Sequence, residues 1–146
     1  MPFLAGQKVT AGQLNRVQPV TYEAVGTTTQ DGPLTDADVT SCSVTFNTTT
    51  ANATAVVNCS FDYDITVATT TLGSGRLNVD GVGESRYATF QQGPGNASDR
   101  MTAAQSYRVI LAAAGSHTLK LTFTVPTGMR LTGVYTSLVA TIYEVV

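Results

Sequence analysis

From residue 20 onward, apolar and neutral polar residues alternate one by one. The clearest run is 119–125, where Leu119, Leu121, Phe123 and Val125 share one parity and Lys120, Thr122 and Thr124 the other. A two-residue period marks a strand with one buried face, because a helix would bury residues three and four apart. The side chains agree with this. The chain holds 25 Thr, 17 Val and 3 Ile, all β-branched and stiff at χ1, against 2 Lys, 3 Glu and 3 Met among the good helix formers. Clusters of Gly, Pro, Asn, Asp and Thr at 26–35, 47–53, 73–75, 80–81, 93–96, 115–116 and 126–128 supply turn chemistry between the alternating runs. The pattern predicts about eight strands, at 20–25, 39–46, 55–68, 76–82, 86–91, 106–112, 117–125 and 131–145. The expected fold is all-β, an antiparallel β-sandwich of jelly-roll-like type occupying 20–146.

Residues 1–19 have a different texture, with no alternation. Thr10 and Gln13 spell a capping box, and Leu14 and Val17 lie three apart on one face of the short helix it would start. Gly12 and Pro19 limit that helix to about two turns. Phe3, Leu4, Leu14 and Val17 therefore form an apolar arm with little core of its own, and such an arm needs another surface to lie on.

At 146 residues the chain is one domain on the usual ~100–200 residues per domain, here with the arm as its appendage. Charged residues are 12 % of the chain, about half the usual ~25 %, so the surface is mostly neutral. The net charge of −2, with six Arg spread from Arg16 to Arg130, lacks the basic footprint of a nucleic-acid binder. No apolar run reaches the ~18–20 residues of a membrane span, and no signal-peptide core opens the chain, so synthesis in a cytoplasm is expected.

Catalytic and metal chemistry find little support. His117, the single histidine, is expected as an exposed strand end, and no serine carries a nucleophile-elbow spelling. Asp62 and Asp64 share a side of one strand, while Asp31, Asp36 and Asp38 cluster in a loop. Either group has oxygen ligands for Ca²⁺, but neither spells an EF-hand, and both are read as solvated acids. Glu84 and Glu144 have no motif to make them an acid and base pair. Sequons at Asn47, Asn52, Asn58 and Asn96 follow from Thr-rich composition and turn preference. The expectation is a protein that is not an enzyme and has no cofactor and no metal.

Two further features bear on assembly. In the last predicted strand Val134, Leu138, Ala140 and Ile142 fall on one parity and Tyr135, Val139, Tyr143 and Val145 on the other. Both faces are then covered, and a subunit contact through the second parity is favoured over a central position in the sheet. If 39–46 and 55–68 form a hairpin, a symmetric register pairs Phe46 with Ala55, Val44 with Val57, and Cys42 with Cys59. The two cysteines are then either a cross-strand disulfide or, the favoured alternative, two buried thiols; they are too few and too far apart for a zinc site.

The opening FLAGQKVTAGQLN of residues 3–15 resembles the start shared by small virion proteins of tailed bacteriophages, especially those of actinobacterial hosts. The matching positions are Phe3, Gly6, Gln7, Thr10, Ala11, Leu14 and Asn15, and they cover about a tenth of the chain. The resemblance implies a minor tail, tail-fibre or capsid-decoration protein. Its N-terminal arm (Phe3, Leu4, Gln7, Leu14, Val17) would dock on capsid or tail proteins of the phage, and its β-domain would be displayed as a homo-oligomer, often a trimer. The alternative is a carbohydrate-binding module that meets a host-surface glycan through Tyr22, Tyr63 or Tyr87 and the acidic loop at 31–38. There is no Gly-X-Y run or heptad for a long fibre shaft.

Overall fold

A computed structural model describes residues 18–144 together with Lys8, Thr10 and Ala11, with backbone alone at 69–71 and 92–95. The arm residues Phe3, Leu4, Gln7, Leu14 and Val17, and Val145 at the other end, lie outside the described residues. Eleven strands are present: β1 (Val20–Val25), β2 (Thr29–Asp31), β3 (Leu34–Thr48), β4 (Ala53–Ile65), β5 (Thr69–Val79), β6 (Val82–Gly83), β7 (Ala88–Gly95), β8 (Arg100–Leu111), β9 (Gly115–Val125), β10 (Met129–Thr132) and β11 (Ser137–Tyr143). Eight were expected. The surplus comes from β2, a short piece inside the predicted turn at 26–35, from β6, just past the turn at 80–81, and from the split of 131–145 into β10, a 3-10 turn at Gly133–Tyr135 and β11.

The strands form two antiparallel sheets. In the first, β4 is central, with β8 on one side and β11 then β1 on the other; β10 and β2 continue the β11 side along the far half of β4. The second runs β3, β9, β5, with β7 and the two-residue β6 both on the far edge of β5. Leu119, Leu121, Phe123 and Val125 all point into the core as their parity requires. Opposite them β4 buries Ala55, Val57, Cys59, Phe61, Tyr63 and Ile65.

The predicted hairpin of 39–46 with 55–68 does not form. β3 pairs with β9, placing Phe46 beside His117 and Val44 beside Leu119, whereas Cys59 of β4 lies between Gln105 and Leu138. The chain crosses from one sheet to the other between Thr48 and Ala53, so β3 and β4 meet through the core and not edge to edge. Alternation fixes which side chains go inward, and two inward rows are satisfied equally well by facing each other as by lying side by side.

Gly73 and Gly75, expected as a turn, lie within β5. A Cβ at Gly75 would sit 2.3 Å from the Phe61 ring and one at Gly73 would sit 2.8 Å from the Tyr63 ring, so the two glycines are the floor on which these aromatics rest. Asp80 and Gly81 do turn the chain as expected, at φ 50° and 90°, in the two-residue loop that joins β5 to β6.

Candidate subunit interface

The outer face of the first sheet is set by register. Reading from β8 across β4 and β11 to β1, one row is Ala104, Ser60, Ser137 and Val25. The next is Ser106, Asn58, Val139 and Glu23, then Arg108, Val56, Thr141 and Thr21. The last is Ile110, Thr54 and Tyr143. Two of these fifteen positions carry charge, and they stand at opposite margins: Arg108 on β8 and Glu23 on β1. Between them Val139 is 37 % exposed and Tyr143 47 %, and Val25 and Ile110 are each about half exposed. Small hydroxyl pairs, Thr21 with Thr141 at 3.2 Å and Ser60 with Ser137 at 2.9 Å, satisfy one another and add no charge to these rows.

Of the four residues expected at a subunit contact, Val139 and Tyr143 share this face. Tyr135, 60 % exposed, sits on the 3-10 turn, its ring 4.5 Å from the Arg100 guanidinium that extends from the same face. Val134 does not continue the inward parity of Leu138, Ala140 and Ile142, because the 3-10 turn breaks the strand before it and leaves it exposed. β11 lies between β1 and β4, so its inward residues are central to the sandwich while its outward ones stay open. The sequence pattern did not single out Ile110, Val25 and Val56; they come from three strands, and only the register joins them.

Asp62 and Asp64 also lie on this face, at the Tyr135 end, and are not solvated acids. Each is nearly buried under its own arginine: Arg100 Nε donates to Asp62 at 2.7 Å and Arg130 to Asp64 at 2.6 Å, while the Thr102 hydroxyl donates to Asp62 at 2.9 Å. Among the described residues no three His, Cys, Asp or Glu side chains are grouped to hold a metal ion.

The other chemistry-bearing residues are spent on structure. His117 is buried, 6 % exposed, contrary to the expected open strand end; Nδ1 contacts the Asp80 carboxylate at 2.7 Å and Nε2 the Ala113 carbonyl at 3.0 Å. Tyr63 is fully buried and presents no ring to solvent; Tyr22 stacks on Phe46 at 5.0 Å, and Tyr87 remains exposed. Those two stacked rings, with Gln18, Ile142 and Glu144, line a cavity of about 160 Å³ where the arm joins the sandwich. Burial pushes the Glu144 carboxyl up, but donors outweigh it: Thr49 N–H at 2.9 Å, the Thr49 hydroxyl and the Thr50 hydroxyl hold it below its usual value. Cys42 and Cys59 are buried free thiols, with Cys42 Sγ directed at the Ala24 carbonyl at 3.5 Å. Among the described residues no helix is long and apolar enough to cross a membrane.

The two sheets, their strand order and the closed core define a jelly-roll β-sandwich. Among solved structures, the Eiger TNF of S. frugiperda matches with a TM-score of 0.52 at 9 % identity, over 87 % of this chain and 93 % of that one. A chain in the structure of infectious bursal disease virus, Gt strain, matches with a TM-score of 0.50 at 13 % identity, over 86 % of this chain and 33 % of the viral one. At such identities the likeness is one of fold. No family model matches the chain, and no curated protein matches its sequence.

Proposed function

We propose that this protein is a non-enzymatic structural component of a tailed-phage virion, a capsid-decoration or minor tail protein. Its sandwiches associate as a homotrimer through the outer face of the first sheet, and its N-terminal arm docks on the particle. The observation that carries the assembly step is the face on which Val139, Tyr143, Ile110 and Val25 stand exposed in three of four rows that hold only two charged residues. Covering such side chains returns about 25 cal/mol per Å² of apolar surface, the usual driving force for a stable contact between copies. The phage assignment rests on the resemblance of residues 3–15, and the virus structure that shares the fold fits it. Four apolar arm side chains at about 1.5–3 kcal/mol each, less ordering costs, make a weak anchor singly; three arms on one trimer gain from effective concentration.

Sedimentation of the wild-type protein is expected to give a trimer. Val139→Asp with Tyr143→Asp is expected to give a folded monomer with an unchanged far-UV spectrum, because the new charges remain solvated only when the face is open. A chain lacking residues 1–19 should stay folded and trimeric yet fail to join particles. A monomeric wild type defeats the interface, and particle incorporation without the arm defeats the docking role.

A further inference from the structure

The outer face of the second sheet carries a polar groove of about 250 Å³. Thr122 of β9 is its floor, flanked in register by Asp38 on β3 and Arg76 on β5; one row along, Lys120 stands beside Asn78. Asp36 reaches the same groove because β3 slips register between Leu34 and Ala37. Its φ is 46°, and its N–H donates to Thr124 Oγ1 at 3.0 Å. Gly83 forms the rim, and a Cβ there would lie 2.5 Å from Arg76 Cζ.

The charges in this groove already cancel. Arg76 Nη2 donates to both oxygens of Asp36 at 2.9 Å, and Lys120 Nζ donates to Asp38 at 2.8 Å. A free anion or cation would have to break one of these pairs, whereas a neutral ligand with many hydroxyls can bridge them and use their remaining lone pairs and protons. Two polar atoms are left over: Thr122 Oγ1, on a residue only 4 % exposed, and Arg76 Nε are buried and make no hydrogen bond. Buried polar atoms are nearly always bonded, so two orphans at the floor of one groove mark a partner that the chain itself does not supply. Asp36 and Asp38, which line the same groove, are more than half exposed. Tyr87, exposed and 5.1 Å from the Arg76 guanidinium, adds an aromatic surface at the edge.

We infer that this groove binds a neutral polyhydroxylated ligand, one or two sugar residues of an uncharged glycan. Thr122 and Arg76 Nε take hydroxyls from below, and Asp38, Lys120 and Asn78 fix the ring from the sides. The site lies on the sheet opposite the proposed subunit contact and does not depend on it.

The test is a neutral-glycan array probed with the full chain, followed by amide chemical shifts on addition of the best-bound oligosaccharide, of sodium sulfate and of calcium chloride. The expected result is binding of at least one neutral glycan, with shifts confined to 36–38, 76–83 and 120–122. Thr122→Val, which keeps shape and removes the orphan hydroxyl, should weaken binding about tenfold or more without lowering the melting temperature. The proposal is overturned if no arrayed glycan moves these amides, if only sulfate or calcium does, or if Thr122→Val binds as well as wild type. Sedimentation of the same samples reads the oligomeric state separately, so loss of glycan binding and loss of the trimer are told apart.

Discussion

His117 faces two acceptors at once, the Asp80 carboxylate and the Ala113 carbonyl, and only the doubly protonated ring has an N–H for each. The hydrogen bond to Asp80 raises its pKa above the usual 6.5; burial opposes this, and the Ala113 carbonyl and the Asp80 charge reinforce it. Because the folded value is the higher one, this stabilisation is complete below the unfolded pKa and fades as pH rises through the folded pKa. Burial alone would raise Asp80, but the hydrogen bonds from His117 and the Thr118 N–H and the charge of His117 bring it below 3.8. Its share is therefore present above that value and is lost as pH falls through the lower, folded one. The melting temperature is expected to fall from about pH 6 to about pH 9, and to fall less in His117→Gln. Identical pH profiles for the two proteins would refute the pairing. The cysteines are a quieter case: burial pushes Cys42 to about 11 and Cys59, with Cys42 nearby, to about 12, so both stay thiols of low reactivity. A lone histidine beside a Gly-Ser turn looks exposed in sequence, because its partner Asp80 is 37 residues away in another hairpin.

β5 shows how a strand can be concealed by its own packing. Glycines at 73 and 75 look like a turn, yet they stay in the strand because Phe61 and Tyr63 occupy the space above them. Gly75→Ala would drive a methyl into the Phe61 ring at 2.3 Å and is expected to cost about 1–3 kcal/mol in denaturant unfolding. Gly81→Ala meets nothing within 4 Å, and its cost, about 1 kcal/mol, comes only from holding φ at 90°. The opposite ranking would show that the rings move aside. Where parity is regular the sequence suffices: β1 has the predicted bounds, and β9 differs from them by two residues. Where a bulge interrupts it, parity misleads. On β3 the inward residues Val39 and Cys42 are three apart, an odd spacing made possible by Ser41 at φ 67° and the register shift between Asp38 and Ser43.

For the whole molecule, sequence reveals which residues face inward far better than which strands are neighbours. The sandwich, its turn at Asp80 and Gly81 and most of its core follow from alternation. The lateral order follows from a chain that crosses between sheets at 49–52, and nothing in the local spelling of β3 or β4 reports that crossing. Two of the five apolar residues on the candidate face were legible for the same reason: Val139 and Tyr143 announce themselves by parity on one strand, whereas Ile110, Val25 and Val56 need the assembled sheet. The assembled face also sets a test of its own, since the two charges within its four rows, Glu23 and Arg108, stand at opposite margins, apart from the Asp62–Arg100 and Asp64–Arg130 pairs. Glu23→Arg or Arg108→Glu alone should weaken self-association several-fold, and the two together should restore it if the margins meet between copies. Independent effects of the two changes, measured by dilution in sedimentation, would place the contact elsewhere.

Gln18 and Glu144 line one cavity, so the chain enters and leaves the sandwich at a single pole. The turns at 66–68, 96–99 and 126–128 crowd the other pole, far from one another in sequence yet stitched together by backbone bonds from the Ile65 N–H to Asp99 and from the Thr66 N–H to Gly128. Whatever holds the molecule by its flanks would thus present that far tip outward, which makes those turns the natural place to insert a foreign peptide for display.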